Sequence, residues 1–154
     1  MLMPINDLDI APEIVALRLL AAVLLSMAIG WERERREKPA GLRTHMLVGL
    51  GAAAFYLLAI EFVLGGMKDA ENLRPDPMRI FEGVITGIGF LGAGAIIQRG
   101  SEVRGLTTGA GIWVAGAIGL ACGGGYFVIA GVVTVLAIVI LAVVGWLEHH
   151  IYKS

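Results

Sequence analysis

Charge is what this chain has least of. Asp, Glu, Lys and Arg make up 16% of its 154 residues against 57% hydrophobic residues, and the mean hydropathy is +0.80. So little polar surface cannot cover a water-soluble globule of this length, which excludes a soluble fold. A basic excess is missing too: the formal net charge is -1, whereas a domain built for nucleic acid would be markedly basic. Cys122 is the only cysteine, so an internal disulfide and a cysteine-cluster metal site are both excluded. No serine, cysteine or histidine stands where a nucleophile would meet its base, so neither an enzyme nor a cofactor is expected. No stretch outside the apolar runs is long enough for a folded domain, and residues 1–154 read as a single transmembrane domain.

What the chain has instead is apolar length and glycine, 22 residues of it. Five segments approach the roughly 20 apolar residues that a bilayer-spanning helix needs: 14–31, 45–64, 79–98, 106–124 and 126–147. The expected fold is therefore all-α, a polytopic bundle of about five helices whose third and fourth members are rich in glycine. A soluble core would resist this, since each interior helical glycine costs about 1 kcal/mol relative to alanine. In a bilayer, close backbone approach makes small residues an asset at helix interfaces. The fourth segment is short enough that a broken or re-entrant helix is an alternative. The first is no cleavable leader, because the residues before it are acidic.

Positive charge orients the spans. Arg33, Arg35, Arg36, Lys38 and Arg43 follow the first, and Arg99 and Arg104 follow the third, so both loops should face the cytoplasm. The amino end and the loop of Lys68, Arg74 and Asp76 should face outward, with Pro75 and Pro77 setting the start of the third helix. Trp31, Trp146 and Tyr152 then fall at the inner boundary as an aromatic belt, while Trp113 lies mid-span beside glycines.

Three constellations stand out. Arg18, Glu61 and Glu82 lie roughly 4–6 Å below the outer boundary at ~1.5 Å rise per residue, a depth at which unpaired charge is costly. They are a candidate ion-paired cluster, or else side chains that snorkel separately to the headgroups. An ion pair would leave one spare carboxylate able to take a proton or contribute to a cation site; Glu82 is a weak metal candidate, since two carboxylates without a further oxygen ligand are a poor magnesium site. On the third helix Gly83, Gly87 and Gly94 form one stripe at about 100° per residue, with Gly89 and Gly92 opposite. On the fourth, Gly105, Gly109, Gly116, Gly119 and Gly123 form a seam that suits packing within the chain, across a homodimer or along a narrow pore. At the inner face the second and fourth helices present amino termini beside Arg36, Arg43, Thr44, Arg104, Thr107 and Thr108, where an anion or an acidic partner could dock. Glu32, Glu34 and Glu37 interleave with the arginines there, as in a salt-bridged helix extension. His45 reads as an interfacial hydrogen-bonding residue, and His149 and His150 lack the spacing of a helical ligand pair. GIGFLGAG superficially matches a dinucleotide fingerprint but has no strand before it.

The ordered motifs WERERREKPAGLRTHMLVGLGAA, RIFEGVITGIGFLGAGAII and VRGLTTGAGIWVAGAIGLACGGGYF closely resemble the MgtC/SapB family of bacterial and archaeal membrane proteins, over nearly all of residues 18–147. The resemblance implies a five-helix protein of the cytoplasmic (inner) membrane, linked to magnesium limitation, acid stress and, in pathogens, survival in macrophages. It implies action through a membrane protein partner, in the family's best-known member inhibition of the ATP synthase, rather than magnesium transport. The soluble carboxyl-terminal domain of that member has no counterpart here, which leaves a virulence role without support. An ion carrier or channel along the third and fourth helices past Glu82 is the rival expectation.

Overall fold

The computed structural model describes residues 9–67, 77–99 and 101–147. Lys68, Arg74, Pro75 and Asp76 of the second loop, and His149, His150 and Tyr152 of the tail, lie outside them. Five helices follow one another: α1 (Pro12–Arg35), α2 (Leu42–Met67), α3 (Pro77–Gly94), α4 (Leu106–Gly123) and α5 (Phe127–Val139), the last running into a π-helical turn at Ile140–Val144. A short hairpin of β1 (Ile97–Arg99) and β2 (Glu102–Arg104) joins α3 to α4.

The two ends of α1 and the end of α4 have local causes. Proline in the first turn of α1 costs no hydrogen bond, Glu13 beside it suits the positive end of the helix dipole, and Arg33 and Arg35 suit the negative end. The helix outlasts its apolar run because Glu32 and Arg36, one turn apart, form an ion pair at 2.6 Å. α4 stops at a Schellman turn: Gly125, at φ 79°, donates to Cys122 O at 2.9 Å while Tyr126 donates to Ala121 O at 2.8 Å.

Close backbone contacts fix how the helices run. Gly30 meets Leu42, and Gly49 meets Ser26 and Ala22 O, so α1 and α2 are antiparallel. Gly111 faces His45, Gly119 faces Gly49 and Ala52, and Gly123 faces Ala53 and Tyr56, so α2 and α4 run in the same direction. Gly109 faces Gly92, and Gly116 faces Ile88, making α3 antiparallel to α4. α5 returns beside α1, where Arg36 Nη2 donates to Ala142 O at 3.1 Å. The helices therefore alternate in direction, and one end of the bundle gathers the carboxyl ends of α1 and α5 with the amino ends of α2 and α4. α4 is the most enclosed long helix, with 61% of its apolar window buried against 11% for Phe127–Leu147. Ala22, Ile29, Ala53, Ile118, Cys122 and Ala130 form the core between α1, α2, α4 and α5.

The fourth span is one continuous helix, so the broken or re-entrant alternative does not apply. One expected span boundary needs correction. The third ends at Gly94 instead of Gln98, because Ile97, Gln98 and Arg99 pair with Arg104, Val103 and Glu102 in the hairpin. Among the described residues four helices are both long and apolar enough to cross a bilayer, and the apolar part of α3, Phe81–Gly94, is shorter. Gly105 is what lets the hairpin pass into α4: at φ 90° it sits where a side chain is strained, and any Cβ there would collide with Ala95 O.

Candidate functional site

The outer charges share an end of the bundle but no ion pair among the described residues. Arg18 Nη1 donates to Gly123 O at 2.8 Å, so the cation serves a carbonyl at the carboxyl end of α4. Glu61 accepts the amides of Asp9 and Ile10 at 3.0 and 2.9 Å, tying the segment before α1 to the far end of α2. Glu82 is exposed on α3. The proposed ion pair gives way because backbone groups at helix ends offer each charge a nearer partner. No group of three metal-ligating side chains exists among the described residues.

At the opposite, charged end, the amino terminus of α2 already holds a carboxylate. Glu34 Oε2 accepts the Leu42 amide at 2.8 Å, so α1 caps the helix that follows it. Arg104 Nε donates to Glu102 Oε1 at 2.9 Å along β2, and this carboxylate raises the arginine pKa above its ordinary value. Gly105 supplies no side-chain cap to α4. Arg43 and Thr107 are exposed, Thr44 is half-buried and Thr108 is buried. The contact of His45 with Gly111 brings the amino-terminal parts of α2 and α4 together, but Arg36 and Arg104 are answered within the chain by Glu32 and Glu102.

The glycine seam of α4 is real, and it divides between two neighbours. Gly105, Gly109 and Gly116 meet α3 and the residues that follow it, whereas Gly119 and Gly123 meet α2. A Cβ at Gly119 would strike Gly49 O and lie 2.8 Å from the Ala52 Cβ; one at Gly123 would lie 2.9 Å from Ala53 O. On α3 the expected packing stripe is the wrong one. Gly83, Gly87 and Gly94 have open space where a Cβ would be, and it is Gly92, on the other face, whose Cβ would lie 3.1 Å from Gly109 O. Gly83 and Gly87 instead line a groove of about 650 Å³ between α2 and α3 with Gly51, Leu47, Phe55 and Leu91. Tyr56 and Phe81 also pack α2 against α3, ring centroids 5.4 Å apart and edge to face.

Sequence reasoning missed a buried polar row. Ser26 and Arg33 lie on the stripe of α1 that also buries Ala22, Ile29 and Gly30. His45 is fully buried within the bundle and makes a hydrogen bond: Nδ1 donates to Gly41 O at 2.9 Å, and Nε2 points at Gly111 without a protein partner among the described residues. Arg33, 4% exposed, reaches Glu32 at 3.4 Å. The signal was the i, i+4, i+7 recurrence of Ala22, Ser26 and Ile29, which marks a buried face that then runs on into Arg33. Trp113, 49% exposed, turns outward and does not fill space among the glycines.

An alternating bundle of apolar helices, joined by glycine-to-backbone contacts and carrying most of its arginines at one end, defines a polytopic α-helical membrane protein. This chain belongs to the MgtC family, whose profile matches residues 19–150. It is 40% identical over 127 residues to "Putative magnesium transporter YhiD" of Escherichia coli K12, covering 82% of this chain and 59% of the relative. It is 46% identical over 112 residues to "Protein MgtC" of Salmonella typhimurium LT2, covering 72% and 44%. A Haemophilus influenzae protein is 34% identical over 142 residues, or 92% and 60%. The chain thus spans about half the length of the curated relatives it matches. No solved structure is significantly similar to it.

Proposed function

We propose that this protein serves magnesium homeostasis or energy coupling in a bacterial or archaeal cytoplasmic membrane by binding another membrane protein, without catalysing a reaction. The observation that carries this reading is the groove between α2 and α3. It is apolar, about 650 Å³ in volume, and floored in part by Gly51, Gly83 and Gly87, so a partner helix could approach backbone to backbone. The bundle interior, by contrast, is filled by glycine-to-backbone contacts along α4, which leaves little room for a hydrated ion. The partner chemistry is a transmembrane helix with small residues on one face; the ATP synthase suggested by the family resemblance is one candidate, and a second copy of this chain is another. The exposed Arg43 at the charged end would add an electrostatic contact. Ion transport is the second reading, favoured by the name of the Escherichia coli relative.

Two measurements on one protein separate these readings. A photo-crosslinking residue at Gly87 should give a discrete adduct in native membranes, whereas one at Val135 on the outer face of α5 should give none. Purified protein in liposomes should move neither magnesium nor protons. Absence of any Gly87 adduct together with Glu82-dependent flux would overturn the contact reading in favour of the carrier.

A further inference from the structure

A second pocket, also about 650 Å³, opens between α1 and the end of α5, where the apolar run of α1 gives way to its charged turn. Met27, Ile138 and Ala142 form its apolar floor, and Trp31, Arg35 and Arg36 form its rim. The rim is held in place. Arg36 Nε sits 2.6 Å from Glu32 Oε1, and its Nη2 donates to Ala142 O at 3.1 Å, inside the π-helical turn Ile140–Val144. A π turn leaves carbonyls off the regular helical ladder and so available to outside donors, and such turns often mark functional positions.

Charge in the pocket does not balance. Glu32 is the one acidic residue in the lining, and it is shared between Arg36 and, at 3.4 Å, the buried Arg33. Arg35 is exposed and makes no ion pair among the described residues. An uncompensated guanidinium, a second one tethered beside it and an indole 58% exposed thus stand over an apolar floor, at the depth where a helix leaves the hydrocarbon. That sequence of environments, cationic, aromatic and then aliphatic, matches the order of parts in a phospholipid of net negative charge.

We propose that this pocket is a binding site for an anionic phospholipid, its phosphate on Arg35 and Arg36, its glycerol region against Trp31 and an acyl chain along Met27 and Ile138. A zwitterionic lipid offers the same chain and phosphate but brings an ammonium group that the arginine pair repels, so the site discriminates by headgroup charge. The site lies away from the α2–α3 groove and does not depend on the function proposed for it.

The test uses the whole protein in vesicles of phosphatidylcholine with or without phosphatidylglycerol, counting retained lipid by native mass spectrometry. Arg35→Gln should weaken retention of phosphatidylglycerol about fivefold, the loss expected for one cation near a membrane surface, and leave retention of phosphatidylcholine unchanged. Lys38→Gln, an exposed cation of the same end outside the pocket, should retain phosphatidylglycerol like the parent. Brominated phosphatidylglycerol should quench tryptophan emission of the parent more than of Trp31→Phe. Equal retention by Arg35→Gln and the parent, an equal loss in Lys38→Gln, or parallel loss of both lipids would each overturn the assignment.

Discussion

Gly119 and Gly87 are the same residue type on neighbouring glycine-rich helices, yet their surroundings are opposite. A methyl group at Gly119 meets the Gly49 carbonyl, a backbone atom that cannot turn aside; at Gly87 it meets nothing within 4 Å. Gly119→Ala should therefore lose about 1–3 kcal/mol through overpacking. Gly87→Ala should be neutral or gain up to about 1 kcal/mol from helix propensity. Thermal unfolding in detergent checks both, and equal melting shifts would show the seam to be loose. Arg18 makes the second prediction at this scale. Because it serves Gly123 O and not a carboxylate, Arg18→Ala should cost about 1 kcal/mol. Removing Glu61 as Glu61→Gln should add to that loss independently instead of relieving it. A double-mutant cycle with coupling well above experimental error would restore the ion-pair picture.

Helices were the most legible level of this sequence, since apolar runs near 20 residues, proline at helix starts and glycine at their ends act locally. The angular pattern of α4 also revealed its seam, because most of this helix is buried and its glycines meet neighbours on both α2 and α3. The same pattern misled on α3, where two glycine faces exist and the sequence does not say which neighbour each one meets. Boundaries set by distant partners were hidden as well. The carboxyl end of α3 is fixed by the hairpin ladder to β2, and the start of α2 by Glu34, eight residues earlier in α1. Glu34→Ala should leave the Leu42 amide without its cap and destabilise the first turn of α2 by about 1 kcal/mol. Faster hydrogen exchange confined to residues near 42–45 would report it; no change there would mean that solvent caps the turn equally well.

The whole molecule has two chemically different ends, and its alternating helix directions place Glu13 at one and Arg35 at the other. With the arginine end in the cytoplasm, Glu13→Cys should react with a membrane-impermeant thiol reagent in intact cells and Arg35→Cys only after lysis. Buried Cys122 leaves a low background for this comparison. The reverse labelling pattern would invert the orientation without changing the bundle. Function at this scale was only partly legible: the family and a membrane role follow from ordered motifs, but the groove and the lipid-shaped pocket exist only once helices distant in sequence have come together.

That α3 takes its close backbone contacts from α4 also bears on how the protein is made. α1 and α2 form an antiparallel hairpin that can close as soon as both have left the ribosome. α3 follows with a short apolar run, and its glycine-to-glycine neighbour is not yet synthesised. That contact can form only once Gly109 arrives, 17 residues behind Gly92, although Phe81 already has Tyr56 of α2 beside it. The helix that walls the groove therefore completes its packing only when its successor follows it.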